Sequence, residues 1–230
     1  MNRILSIEKL DRYGRAAESA GEESSGYTSA GSRGRFARVR VTPEEGEPFT
    51  ISGRTADRLG LTEGGELSGE VYAEILQSLR ASCLQRCGTL LGSRDYPEAR
   101  LQKKLQEAGF PPVIIEECMG KLKEAHYLDD RRYAQSYVRS HLQDRSSLRI
   151  RMDLKDRGIP EELIDEAFEE LAGEIDPRQA QLDQIRRLLR KRGYEPGRDD
   201  YTQRQKTMAF LHRKGYEPEL IRRAMEEEYK

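Results

Sequence analysis

Basic side chains at three equivalent positions are the residues of this sequence whose type and spacing best suit a chemical task. Arg100, Arg149 and Lys206 each stand five residues before a leucine of a repeated pattern. Lysine and arginine neutralise phosphates and release their counterions, which provides most of the non-specific affinity of proteins for nucleic acid. If the repeated segments superpose, the three side chains form a spaced row of candidate phosphate contacts.

Other basic residues extend this candidate set. On or near the same helical segments lie Lys103, Lys104, Arg145, Arg151 and Arg204. The densest basic cluster, in the stretch RRLLRKRGY, consists of Arg186, Arg187, Arg190, Lys191 and Arg192. The C-terminus of a helix favours cations, but this cluster exceeds what capping requires. We therefore predict that it contacts nucleic acid or an acidic protein surface, the alternative for each residue being a solvated helix face.

Motifs for catalysis or metal binding are missing from the sequence. It contains no G-x-x-x-x-G-K-[ST] phosphate loop, no G-x-S-x-G elbow and no H-E-x-x-H pair. His126, His141 and His212 lie in different helical segments. Cys83 and Cys87 can share a helix face, but no second cysteine or histidine pair stands at zinc-site spacing. We predict structural thiols, no catalytic residue, no metal and no cofactor.

Composition describes a very polar chain with an uneven distribution of charge. Of its 230 residues, 35% are charged, the net charge is -1 and the mean hydropathy is -0.85. Lys and Arg number 8 against 12 acidic residues in 127–175, and 14 against 10 in 176–230. No apolar run is long enough for a bilayer span, and the N-terminus has no apolar signal region. We expect a cytoplasmic protein with no membrane partner.

A pattern that ends one helix and starts the next occurs three times. Each copy has a leucine, a glycine four residues later, an apolar residue, and an isoleucine six residues after the glycine. The glycines lie 49 and 57 residues apart. Glycine supplies the left-handed conformation that ends a helix, so we predict that these residues pack at corners between helices. The corner residues are Leu105, Gly109 and Ile115; Leu154, Gly158 and Ile164; and Leu211, Gly215 and Ile221.

The elements that must position these residues are mainly helical. Short strand-like runs near the N-terminus, at 35–41 and at 48–52 predict a small sheet or hairpin in 1–66, with a mobile Gly/Ser/Glu-rich loop at 16–33. The rest predicts three tandem three-helix, helix-turn-helix-like repeats at 67–126, 127–175 and 176–230. Each repeat is too small to bury its own faces, so we expect them to stack into an elongated, curved body.

The order and spacing of these motifs resemble the RecX family, regulatory proteins that modulate the bacterial RecA recombinase. The likeness rests on YLDDRRYAQSYVRSHL and on the corners LKDRGIPEELIDEA and FLHRKGYEPELIRRA. It extends to SRDYPEARLQKKLQEAGF and LGLTEGGELS, and covers about residues 35–229. The loop at 16–33 departs from the family pattern, because it interrupts a region where members have a more continuous strand pair.

The resemblance implies a regulator rather than an enzyme. Members bind within the groove of the RecA filament on single-stranded DNA and restrain its ATP hydrolysis, strand exchange and coprotease activity. The implied setting is homologous recombination, DNA repair and the SOS response. We expect this chain to act as a monomer. Two alternatives stay open from the residues alone: a stand-alone helix-turn-helix DNA-binding regulator, which would use a single dominant basic helix, and a structural adaptor whose charges only keep it in solution.

Overall fold

The computed structural model describes residues 2–10, 38–195 and 200–227. The loop predicted at 16–33 lies outside them. The described chain is mainly helical with a small N-terminal antiparallel sheet, which confirms the predicted fold class. The strands are β1 (Asn2–Leu10), β2 (Arg38–Pro43), β3 (Phe49–Ser52) and β4 (Glu66–Leu67). The helices are α1 (Gly53–Arg58), α2 (Gly69–Leu91), α3 (Glu98–Glu107), α4 (Pro112–Glu124), α5 (Asp130–His141), α6 (Ser147–Lys155), α7 (Glu161–Ala172), α8 (Pro177–Arg192), α9 (Tyr201–Arg213) and α10 (Pro218–Glu227).

The sheet has the strand order β3-β2-β1-β4, and every pair is antiparallel. Successive side chains of a strand point to opposite faces, so Val39 and Val41 enter the core while Arg40 between them is exposed. Phe49 stands opposite Val41 in the register and is 2% exposed. β4 was not predicted, because two residues are too short to carry an alternating pattern.

The chain forms two compact units. Unit 1 comprises the described residues within Met1–Tyr96 and Leu101–Leu128, and unit 2 those within Pro97–Arg100 and Asp129–Lys230. The core of unit 1 joins the sheet to α2 and α4 and includes Leu101 and Leu105 of α3. Unit 2 has one hydrophobic cluster among α5, α6 and α7 and another among α8, α9 and α10.

The three helix corners share one backbone geometry. Gly109, Gly158 and Gly215 have φ angles of 82°, 87° and 86°, in the left-handed region. In each corner the glycine N–H donates to the carbonyl three residues back, and the next N–H donates to the carbonyl of the corner leucine. This is the Schellman arrangement, which satisfies the last carbonyls of a helix. The leucines and isoleucines of the corners are all buried, none more than 2% exposed.

The acidic pair at the start of α5, Asp129 and Asp130, caps two different helices. The Asp129 carboxylate accepts a hydrogen bond from the Arg132 N–H at 2.9 Å and thereby caps α5. The Asp130 carboxylate accepts one from the Glu98 N–H at 2.9 Å, at the first residue of α3. Both acids therefore serve helix N-termini, where negative charge is favoured.

Candidate nucleic-acid interface

Two predicted contacts near α6, Arg145 and Arg149, are paired with one buried carboxylate. Asp153 has a side chain only 8% exposed, and its oxygens lie 2.5 Å from Arg145 and 3.1 Å from Arg149. Arg145 also donates to the Tyr137 hydroxyl at 2.9 Å, and that hydroxyl donates to Asp153 at 3.3 Å. The single negative charge of Asp153 is shared by two arginines, so it reduces the positive field that they offer to a ligand but does not cancel it.

Arg151 and Arg100 are also engaged within unit 2. Arg151 lies 2.5 Å from Asp165 and 3.3 Å from Glu161, and its guanidinium stacks over the Phe168 ring at 4.7 Å. The Arg100 guanidinium donates to the carbonyl of Asp156, near the C-terminus of α6. Both side chains stabilise the fold in which they stand.

Two arginines of α5 partly neutralise acidic residues on α7 and just after it. Arg131 lies 3.6 Å from Glu170, and Arg139 lies 2.8 Å from Glu174. These pairs are exposed, and exposed pairs contribute little to stability. They do, however, reduce the negative field that the excess of acids in 127–175 predicts.

The basic cluster of α8 divides into engaged and free members. Arg186 lies 2.8 Å from Asp183, and Arg187 donates to the carbonyl of Gln143. Arg192 stacks over the Phe210 ring at 4.5 Å, and the Lys214 ammonium lies over the same ring at 5.3 Å. The remaining members, Arg190 and Lys191, are exposed and have no side-chain partner in the part of the chain that the structure describes.

The other predicted contacts lie on α3 and α9. Lys104 lies 3.5 Å from Glu107. Lys103 and Lys206 are exposed, Arg204 is half-buried, and none of these three has a side-chain partner among residues 2–10, 38–195 and 200–227. Together with Arg190 and Lys191 they are the predicted cations that are free to meet a phosphate. We refer to these five residues as the free cations.

Hydrogen bonds at the helix corners involve donors whose role sequence reasoning missed. The carbonyl of Ala108, at the end of α3, accepts from the Arg38 guanidinium, and the carbonyl of Lys214, at the end of α9, accepts from the Ser146 hydroxyl at 2.7 Å. The Arg100 guanidinium donates to the carbonyl of Asp156 in the same way. Each donor satisfies an unpaired carbonyl at a helix C-terminus. No local signal could reveal these donors, because each lies more than fifty residues before its acceptor.

Thiols and imidazoles form no metal site in the described residues. Cys83, Cys87 and Cys118 are free and at most 1% exposed, and no group of three His, Cys, Asp or Glu in the described ranges is placed to hold a metal ion. A hydrogen bond with Cys87, together with burial, raises the pKa of the Cys83 thiol, and burial raises the pKa of Cys118. Protonated, buried thiols are poor nucleophiles and poor ligands. Within the same ranges, no helix has the length and apolar character that crossing a membrane requires.

Comparison with known proteins identifies the family to which these helices belong. Residues 129–167 match the model of the second three-helix domain of RecX, and residues 179–225 match the model of the third. The regulatory protein RecX of Trichlorobacter lovleyi is 33% identical over 150 residues, which are 64% of this chain and 95% of that protein. The chain belongs to the RecX family.

Other relatives extend the likeness over more of the chain. The regulatory protein RecX of Caldanaerobacter subterraneus is 29% identical over 77% of this chain and 86% of its own length. A crystal structure of regulatory protein RecX superposes with a TM-score of 0.55 at 22% identity, covering 96% of this chain and 97% of that one. The structure of RecX from Lactobacillus salivarius gives the same TM-score at 18% identity. At these identities the structural matches establish the fold.

Proposed function

We propose that this RecX-family protein binds RecA filaments on single-stranded DNA and inhibits RecA ATP hydrolysis, strand exchange and coprotease activity. It would act as a cytoplasmic monomer in homologous recombination, DNA repair and the SOS response, without catalysis of its own. The observation that carries the proposal is the 33% identity to a regulatory protein RecX over 95% of that relative's length. In this proposal the segments 67–126, 127–175 and 176–230 act as three repeats.

The free cations are the proposed first contacts with the filament. A phosphate that meets Arg190, Lys191 or Lys206 displaces only solvent and counterions, because these side chains have no described partner. A phosphate that meets Arg145 or Arg149 must compete with Asp153. The engaged arginines would therefore add less affinity than their number suggests.

Single-strand-dependent ATP hydrolysis by RecA, titrated with this protein, tests the proposal. The informative variant combines Arg190→Ala with Lys191→Ala, because both side chains are exposed and their removal breaks no described contact. The matched control combines Arg132→Ala with Arg222→Ala, two exposed arginines outside the cluster with no side-chain partner in the described ranges. We expect inhibition by the wild type and the control, and a weaker inhibition by the α8 variant at equal folding.

The possible results distinguish a wrong choice of contact residues from a wrong function. Equal inhibition by the α8 variant and the control would reject Arg190 and Lys191 as contacts while keeping the function. No inhibition by the folded wild type in excess over RecA would reject the function. Sequence-specific binding of duplex DNA without RecA would then favour the stand-alone DNA-binding regulator.

A further inference from the structure

A polar groove of about 670 Å³ lies within unit 1, between the sheet, α2 and the end of α3. One side is formed by Arg38 of β2 and by the edge of β3. The other is a stripe of polar residues along α2, which includes Ser78, Ser82 and Arg86 at a spacing of four residues. Residues four apart lie on one helix face, so this stripe is continuous, and it runs beside the buried face of α2, from which Leu79 also lines the groove.

Charge in the groove is predominantly positive. Its titratable lining residues are Arg38, Arg86, Lys104 and Glu107, and Lys104 and Glu107 are 3.5 Å apart. Arg38 is half-buried and donates to the carbonyl of Ala108. Arg86 is exposed and has no side-chain partner in the described ranges. Burial, and next the neighbouring positive charge of Arg86, lower the pKa of the Arg38 guanidinium. Among the described lining residues, two guanidinium groups thus share the groove with a single carboxylate, which is already paired with a lysine.

The groove's other lining groups fit a nucleic-acid strand. The hydroxyls of Ser78 and Ser82 have no described hydrogen-bond partner, and hydroxyls are common donors to phosphate oxygens. Phe110, half-buried at the α3 corner and packed against the core of unit 1, also lines the groove. Base stacking on aromatic side chains is the usual companion of phosphate contacts in single-strand binding. An acidic peptide would use the two arginines but would have no comparable use for an aromatic surface.

We propose that this groove binds the sugar-phosphate backbone of single-stranded nucleic acid, with Arg38 and Arg86 on phosphates and Phe110 against a base. The inference deepens the proposed function, on which it rests for the identity of the strand, and adds a DNA contact in the N-terminal unit. None of the three residues belongs to the basic row or to the α8 cluster.

Direct binding of the full chain to a fluorescently labelled oligothymidylate, without RecA, tests the groove. The dissociation constant is measured by anisotropy at several salt concentrations for the wild type, Arg86→Gln and the matched control Arg3→Gln. Arg3 lies on β1, is exposed and has no side-chain partner in the described ranges. Loss of one phosphate contact reduces the slope of log affinity against log salt by about 0.7 for a single strand. We expect this reduction in Arg86→Gln and no change in Arg3→Gln.

Each other result has a defined meaning. Equal slopes for the two variants, or no binding of the oligonucleotide by the wild type, would overturn the groove assignment. Displacement of the oligonucleotide by millimolar inorganic phosphate at constant ionic strength would assign a small-anion site instead, and equally effective displacement by polyglutamate would assign an acidic peptide. RecA ATPase inhibition measured on the same preparations separates the two proposals. Inhibition without direct DNA binding would reject only the assignment of the groove. A change of the salt slope in Arg86→Gln without any RecA inhibition would reject only the proposed function.

Discussion

Replacement of Gly158 by alanine should destabilise unit 2 through two separable effects. The φ angle of 87° places the new Cβ in the left-handed region, which costs an L-residue about 1–2 kcal/mol. That Cβ would also lie 2.4 Å from the Cβ of Ala99, a side chain that cannot rotate away. Overpacking of this kind typically costs about 1–3 kcal/mol. We therefore expect Gly158→Ala to lower the free energy of unfolding by about 2–5 kcal/mol.

Two other glycines isolate the terms of this estimate. Gly193 has a φ of 66° with open space around its Cβ position, so Gly193→Ala carries the conformational cost alone. Gly120, inside α4, has neither a positive φ nor a close neighbour, so Gly120→Ala should stabilise by about 1 kcal/mol. Urea unfolding followed by far-ultraviolet circular dichroism ranks the three variants. A cost for Gly158→Ala no larger than that for Gly193→Ala would refute the close approach. Adding Ala99→Gly to Gly158→Ala should recover part of the loss as a favourable coupling energy.

Two further predictions concern buried polar groups. Asp153→Asn removes the negative charge that two arginines share and places an amide donor beside guanidinium donors. It should therefore lower the free energy of unfolding by about 2 kcal/mol, measured from the midpoint of urea unfolding. An unchanged midpoint would show that the network adds no stability. Cys83, Cys87 and Cys118 should resist alkylation by iodoacetamide in the native protein at neutral pH and react in urea, because burial keeps the reagent away from all three thiols. The raised pKa of Cys83 and Cys118 also keeps these two thiols protonated. Mass spectrometry counts the adducts, and rapid native labelling would contradict the buried placement.

Features of the fold that depend on neighbouring residues could be predicted from the sequence, and those that join distant residues could not. The corner glycines and the Asp129 cap follow from side chains within a few positions of each other. Asp130 looks equally like a cap of α5, yet its carboxylate accepts a hydrogen bond from the N–H of Glu98, 32 residues earlier. Likewise, a left-handed glycine is expected wherever a helix ends, but the second demand on Gly158, the contact with Ala99, arises only when α3 packs against the corner.

The candidate site shows the same limit at one repeated position. Arg100, Arg149 and Lys206 are equivalent in sequence and all three are exposed. Arg149 pairs with Asp153, four residues later, and that spacing on a helix could have been recognised in advance. Arg100 donates a hydrogen bond to the carbonyl of a residue 56 positions later, which no local pattern reveals. Only Lys206 has no described partner, so the row consists of two arginines with internal partners and one lysine available to a ligand. Substitution of Arg100 or Arg149 would change stability and binding together, and Lys206 is the position of the row at which a loss of affinity can be attributed to a lost contact.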